Sequence, residues 1–146
     1  MEAAPRAGKN QSIKMTQADF KSLPFLLLEH QVAKLGYDRR TLGKLVDCAV
    51  LSRIAPKGCT QGRYQKRQLA QLLHWEHLLA ADEAQFRQLA PLLPLKPVRT
   101  WTGYTEETLS GIVHAHGLTL VKPPGMSQGK FLKAEIAKLI GFEHLI

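Results

Sequence analysis

The sequence has few cysteines and no long apolar run, and each shortage excludes a class of protein. Only two of the 146 residues are cysteine, which excludes a disulfide-stapled scaffold. The densest apolar stretch, Leu23 to Leu28, contains Pro24 and is far too short to cross a bilayer. Residues 1–15 have no apolar segment, so we expect no signal peptide and a cytoplasmic protein without a membrane partner.

Acidic residues are also scarce relative to basic ones. Lysine and arginine number 20 and aspartate and glutamate 12, so the formal net charge is +8. Hydrophobic residues make up 45% of the chain, which is enough for a packed core. A globular composition with this surplus of positive charge favours association with a polyanion such as nucleic acid.

The chain contains an internal repeat. When the sequence is compared with itself at an offset of 67, 16 of the 44 positions from Gly36 to Leu79 are identical. Background composition would give only about 2 or 3 identities. Upstream the match continues at an offset of 66. We therefore predict a duplication, with a flexible tail (residues 1–15), a first repeat (residues 16–80) and a second repeat (residues 81–146).

Helix signals open each repeat. Thr16 can cap a first short helix, and in the second repeat Asp82 and Gln85 have the spacing of a capping box. Another short helix, from Glu29 to Leu35, is predicted to end at Gly36, which can adopt a left-handed conformation.

A longer helix, a hairpin and a closing helix follow. Asp38 can cap a helix from Arg39 to about Val50, in which apolar residues recur with the helical period. The alternating segment Leu51 to Ala55, a Gly- and Pro-rich turn and Arg63 to Gln65 predict a β-hairpin. The closing helix is predicted over Lys66 to Leu79. We thus predict an α+β fold, mainly helical with small hairpins, in the element order of a winged helix-turn-helix.

The first repeat contains six short motifs in a characteristic order. They are Leu27-Leu28, Gln31 to Gly36, Asp38 to Leu42, Lys57 to Gly62, Arg63-Tyr64 and Lys66 to Leu69. In this order they resemble the DNA-binding domain of MerR-type regulators and phage excisionases. The resemblance implies two tandem winged helix-turn-helix domains that bind double-stranded DNA in a sequence-specific way. Such a protein would be a transcriptional regulator or a recombination accessory factor of bacterial or phage type, associated with the nucleoid when bound to DNA.

Basic and polar side chains of the long helix and the hairpin are the candidate DNA contacts. A recognition helix reads base edges, and a neighbouring wing reaches the flanking backbone. The helix alone could equally be a solvated face, but the basic hairpin beside it favours nucleic acid. The candidates are Arg39, Arg40, Thr41, Lys44, Lys57, Gln61, Arg63, Lys66 and Arg67 in the first repeat and Gln128, Lys130 and Lys133 in the second.

The second repeat departs from this pattern. Its net charge is +1 against +5 for the first, and Glu106 and Glu107 replace Arg39 and Arg40. These glutamates would repel phosphate, although a glutamate can accept a hydrogen bond from cytosine N4. The alternative function is therefore a protein-interaction adaptor or antagonist, with Glu106 and Glu107 as protein contacts. RNA binding is a weaker third alternative. Pro97 and Trp101 also predict a short, irregular first helix in this repeat.

Nothing in the sequence indicates catalysis. The six histidines lack the spacing of a metal motif, and neither Cys48 nor Cys59 has a cysteine at the matching position of the second repeat. No phosphate-binding Gly-rich loop follows a strand. We therefore expect no enzymatic activity, cofactor, metal or small-molecule ligand.

Overall fold

A computed structural model describes residues 15–125 and 127–146. All but the last residue of the predicted flexible tail lies outside these ranges. Within them the fold is mixed, with more helix than strand and two three-stranded sheets, which agrees with the predicted α+β class. None of the described helices is both long and apolar enough to traverse a bilayer.

The elements follow the same order in both halves of the chain. The first half contains α1 (Gln17–Ser22), β1 (Leu26–Leu27), α2 (Glu29–Ala33), α3 (Arg39–Asp47), β2 (Arg53–Ile54), β3 (Arg63–Gln65), α4 (Lys66–Leu73) and a 3₁₀ turn (Glu76–Leu79). The second contains α5 (Ala80–Arg87), β4 (Leu92–Leu93), α6 (Leu95–Thr102), α7 (Glu106–His114), β5 (Leu120–Val121), β6 (Lys130–Leu132), α8 (Lys133–Ile140) and a 3₁₀ turn (Glu143–Leu145).

Polar caps begin several helices where the sequence predicts them. The Thr16 hydroxyl accepts the N–H of Asp19 at 3.0 Å, and an Asp38 carboxylate oxygen accepts the N–H of Thr41 at 2.8 Å. Thr105 caps α7 in the same way. These side chains satisfy backbone donors that the first turn of a helix leaves free.

The start of α5 differs from the prediction. The 3₁₀ turn Glu76–Leu79 continues directly into the helix, which begins at Ala80. Asp82 therefore lies inside the first turn, and the prediction that it forms a capping box with Gln85 is wrong. The two repeats are joined without a loop.

Three helices of the first repeat end earlier than predicted. Helix α2 ends at Ala33 rather than Leu35, although Gly36 has the predicted left-handed conformation, with a φ of +93°. Helix α3 ends before Val50 because Ala49 adopts a φ of +61°. Helix α4 ends at Leu73 rather than Leu79 because His74 adopts a φ of +59°. A left-handed residue at a helix end is usually glycine, so Ala49 and His74 themselves give no signal for these ends. The signal for the end of α4 lies in the second repeat, where Gly141 stands at the position of His74.

The first helix after β4 is longer than predicted. Helix α6 has 8 residues, against 5 in its counterpart α2. Pro97 lies in the first turn, where a backbone N–H has no helical partner to lose. The prediction of a short helix at this position is therefore wrong.

Each predicted hairpin is present and forms part of a sheet. Strands β2 and β3 pair antiparallel, with Arg53 opposite Tyr64, and β1 pairs with the other edge of β3, with Leu26 opposite Gln65. The strand order is β1-β3-β2 in the first sheet and β4-β6-β5 in the second. This order makes β3 and β6 the central strands and leaves β1, β2, β4 and β5 as edge strands.

The hydrophobic core extends across both repeats. Phe25 from the first repeat packs against Trp101 and Phe142 from the second, with ring centroids 5.1 and 5.0 Å apart. Phe86 contacts the same two rings at 5.2 and 5.3 Å. In addition, the Phe25 N–H donates to the Trp101 carbonyl at 2.9 Å. The aromatic cluster therefore fixes one repeat against the other.

Candidate nucleic-acid interface

Helix α3 buries Leu42 and Leu45 and exposes the opposite side. The exposed residues follow the helical period along one face: Arg39, Arg40, Gly43, Lys44, Asp47 and Cys48. Arg39 Nε pairs with a Glu29 carboxylate oxygen at 3.2 Å. No described residue forms an ion pair with Arg40 or Lys44. Among the described residues, the face therefore presents two cations that form no ion pair, Arg40 and Lys44, and a third, Arg39, that is paired with Glu29.

Gly43 lies in the middle of this exposed face. A Cβ placed there would meet nothing within 4 Å, and Ser110 stands at the matching position of α7. The fold therefore does not require glycine at this site. Because glycine inside a helix costs roughly 0.5–1 kcal/mol relative to alanine, Gly43 is a local cost to stability. The absence of a side chain at Gly43 leaves open space beside the helix backbone.

The first hairpin (residues 53–65) adds further basic groups. Lys57 and Gln61 are exposed, as predicted for residues that contact a ligand backbone. Arg53 is exposed as well, and its side chain lies over Gly62. Arg53 was not among the predicted contacts, although its place on the solvent side of an edge strand beside other cations was a usable signal.

Four other predicted contacts remain partly or fully accessible. Thr41 and Arg67 are half-buried in the first repeat. Gln128 is exposed and Lys130 half-buried on the second hairpin (residues 120–132). Among the residues that the structure describes, none of these four side chains forms an ion pair.

Lys66 and Lys133 are not available for DNA, so their prediction as contacts is wrong. Lys66 has no exposed surface, and its Nζ donates to the carbonyls of Lys21 and Leu23 at 2.8 and 2.7 Å. Lys133 is also buried, and its Nζ donates to two backbone carbonyls at 2.9 and 2.8 Å at the end of α5. Both ammonium groups bind carbonyls that the ends of short helices leave free.

Burial changes the titration of Lys66. Desolvation lowers the pKa of Lys66 to about 8; the carboxylate of Asp82 opposes this shift and Lys21 adds to it. The ammonium also lies 4.7 Å from the centre of the Phe25 ring. Lys66 is thus part of the core that includes the aromatic cluster.

Arg63 contacts the second repeat rather than open solvent. It is half-buried, and its guanidinium lies 4.6 Å from the centre of the Tyr104 ring. Burial raises the pKa of the Tyr104 hydroxyl, and so does the neighbouring Cys59, whereas Arg63 opposes the shift. The cation predicted to contact a nucleic acid therefore holds the first hairpin against the second repeat.

The tip of the first hairpin lies directly on α7. A Cβ added to Gly58 would collide with the Gly111 carbonyl and would lie 2.9 Å from the Ala115 Cβ. A Cβ added to Gly117 would lie 3.0 Å from the Lys57 backbone nitrogen. A Cβ on Gly111 itself would lie 3.6 Å from the Gly58 carbonyl, an ordinary contact, so the need for a residue without a side chain falls on Gly58 and Gly117. The contact joins positions more than 50 residues apart, so no local sequence pattern predicts it.

The second repeat presents a different surface. Glu106 and Glu107 are exposed in the first turn of α7, where the helix dipole favours negative charge. The second hairpin has no comparable support among the described residues, because a Cβ on Gly125 would meet nothing within 4 Å. Leu120, 46% exposed, occupies the position of Arg53. The two repeats are therefore similar in element order and unlike in surface.

No known protein family, curated protein or solved structure matches the chain. Among the residues that the structure describes, no three His, Cys, Asp or Glu side chains are grouped so that they could hold a metal ion. The interpretation of function therefore depends on the surface of the molecule.

Proposed function

We propose that the chain is a sequence-specific double-stranded DNA-binding protein with two tandem winged helix-turn-helix units. Helix α3 is the recognition helix, and the first hairpin is its wing. The protein acts as a transcriptional regulator or a recombination accessory factor of bacterial or phage type, in the cytoplasm.

The exposed face of α3 carries this proposal. It combines Arg40 and Lys44, which form no ion pair with any residue in the described ranges, with Gly43 between them. An α-helix fits the major groove of B-DNA, where arginine and lysine contact guanine O6 and N7 or neighbouring phosphates. Arg53 and Lys57 on the wing extend the positive charge toward the flanking backbone.

A salt series on the free protein tests the proposal. About four phosphate contacts, from Arg40, Lys44, Arg53 and Lys57, predict that log K falls with log salt at a slope near −3 to −4. Fluorescence anisotropy with a labelled random duplex measures this slope between 50 and 300 mM salt. A slope flatter than −1, or no binding at the lowest salt, contradicts DNA binding. Tighter binding to duplex RNA than to DNA would instead support the RNA alternative.

Replacing Gly43 by alanine separates stability from binding. We expect Gly43→Ala to raise the free energy of unfolding by roughly 0.5–1 kcal/mol, because the site is helical and open. The same methyl group should weaken duplex binding if DNA approaches this face closely. Urea denaturation and anisotropy measure the two effects. Ser110→Ala, at the matching position of α7, is the control and should leave the affinity for duplex DNA unchanged. If Gly43→Ala binds the duplex as tightly as the wild type, DNA does not approach this face of α3 closely.

A protein-interaction adaptor is the second candidate function. The exposed Glu106 and Glu107 and the unsupported second hairpin with its exposed Leu120 favour it. Two results together would favour the adaptor function. The salt series would show no duplex binding, and the double variant Glu106→Gln with Glu107→Gln would no longer form a crosslink to a protein partner that the wild type captures.

A further inference from the structure

The two hairpins have different surroundings, and this difference bears on how DNA is read. Building on the proposed function, we propose that only the first repeat reads DNA and that the second repeat is a fixed support for its wing. The chain then recognises one continuous duplex segment rather than two half-sites. Gly111, Ala115, Gly117 and Tyr104 are positioning residues for the wing.

The support exists in the second repeat alone. Gly111, Ala115 and Gly117 admit the backbone of Lys57 and Gly58 at close range. The matching positions of the first repeat are Lys44, Cys48 and Val50, all bulkier. Helix α3 therefore has no equivalent seat for a hairpin, and its face remains open.

The second repeat contacts the base of the first hairpin in addition to its tip. Arg63 stacks on the Tyr104 ring, and Gln65 Nε2 donates to the Leu139 carbonyl at 2.9 Å. Gly141 is close enough to Gln65 that a Cβ there would lie 2.8 Å from Oε1. The β3 strand thus contacts the second repeat at several points, which restricts the orientations of the wing.

The same contacts prevent α7 from acting as a second recognition helix. Gly111 and Ala115 occupy the positions that Lys44 and Cys48 hold on the exposed face of α3. On α7 this face carries the hairpin tip, so DNA cannot reach it without displacing the wing. Glu106 and Glu107 add repulsion of phosphate at the start of the helix.

Gly111→Gln tests the support, because a Cβ there already lies 3.6 Å from the Gly58 carbonyl and the further atoms of glutamine crowd the hairpin tip without changing the charge. Ser110→Gln, one residue away and exposed, is the matched control. Each variant is made in a Cys48→Ser background, so that the labelling rate of Cys59 reports release of the hairpin tip. Duplex affinity and its salt slope are then measured with and without Lys57→Ala.

We expect Gly111→Gln to speed the labelling of Cys59 and to weaken duplex binding about tenfold. Lys57→Ala should flatten the salt slope by about one in the Cys48→Ser background and should have no effect once the wing is released. Ser110→Gln should show the same Cys59 labelling rate, duplex affinity and salt slope as the Cys48→Ser protein without a further change. A footprint on a duplex selected from a random pool should protect one segment of about one helical turn.

Three results would overturn the inference while leaving DNA binding intact. The first is faster labelling of Cys59 with unchanged affinity and an unchanged effect of Lys57→Ala. The second is an equal loss of affinity in Ser110→Gln, and the third is two protected segments a helical turn apart; either of these two means that α7 contacts DNA. A flat salt slope in the unmodified protein refutes the proposed function itself. If circular dichroism shows that Gly111→Gln does not fold, Gly117→Ala serves as the second variant with the same expected outcomes.

Discussion

Replacing Arg40 and Lys44 together by alanine is expected to lower the affinity for specific duplex DNA by about a hundredfold or more. A bidentate contact to a base edge contributes about 1–3 kcal/mol of discrimination, and about 1.4 kcal/mol corresponds to tenfold. If both residues contact phosphates instead, binding should weaken for all sequences, and the salt slope should flatten by about two. Anisotropy titrations on specific and random duplexes measure both quantities.

The control for this pair removes the same charge elsewhere. Lys96→Ala with Lys138→Ala changes two exposed lysines of the second repeat. An equal loss in both pairs would mean that net charge, not the α3 face, governs binding. Arg39→Ala alone should have a smaller effect than Arg40→Ala, because its guanidinium is already shared with Glu29.

The second large effect is expected at a residue that does not contact DNA. Lys66→Met should lower the free energy of unfolding by about 2–4 kcal/mol, since the Lys21 and Leu23 carbonyls lose their donor. Relief from burying an ammonium group offsets part of this loss. Urea denaturation measures the change. Lys138→Met, at an exposed site, should stay within about 0.5 kcal/mol of wild type.

The pH dependence of the same variant tests the burial of the charge. The pKa of Lys66 is about 8 in the folded chain and about 10.4 in an unfolded one. Between these values the unfolded state binds more protons, so the stability of the wild type should rise with pH relative to Lys66→Met. A stability difference that stays constant from pH 7 to 10 contradicts a lowered pKa.

Local signals made much of the fold predictable. Asp38 and Thr105 could be recognised as caps because the acceptor and the donor lie three residues apart. The hairpins could be recognised because residues alternate on both sides of a Gly-rich turn. Lys66 could not be separated from an exposed lysine, because its partners lie more than 40 residues upstream and only the tertiary fold brings them together.

The candidate site was predictable on α3 and not on the hairpin. The cations of α3 follow one face of a helix that the sequence defines. Seating of the first hairpin depends on Gly58 meeting Gly111, a contact that no local pattern encodes. One signal was present: Gly111 stands inside a helix at a position where the first repeat has Lys44.

The loop-free junction between the repeats affects how the molecule folds. The 3₁₀ turn Glu76–Leu79 runs directly into α5, and Phe25 packs among rings from the other half. Cutting the chain at this junction would break a continuous helical segment and leave those rings facing water. We therefore expect the two halves to unfold together, so that local damage on either side lowers the stability of both, and we expect neither half to fold as an independent module.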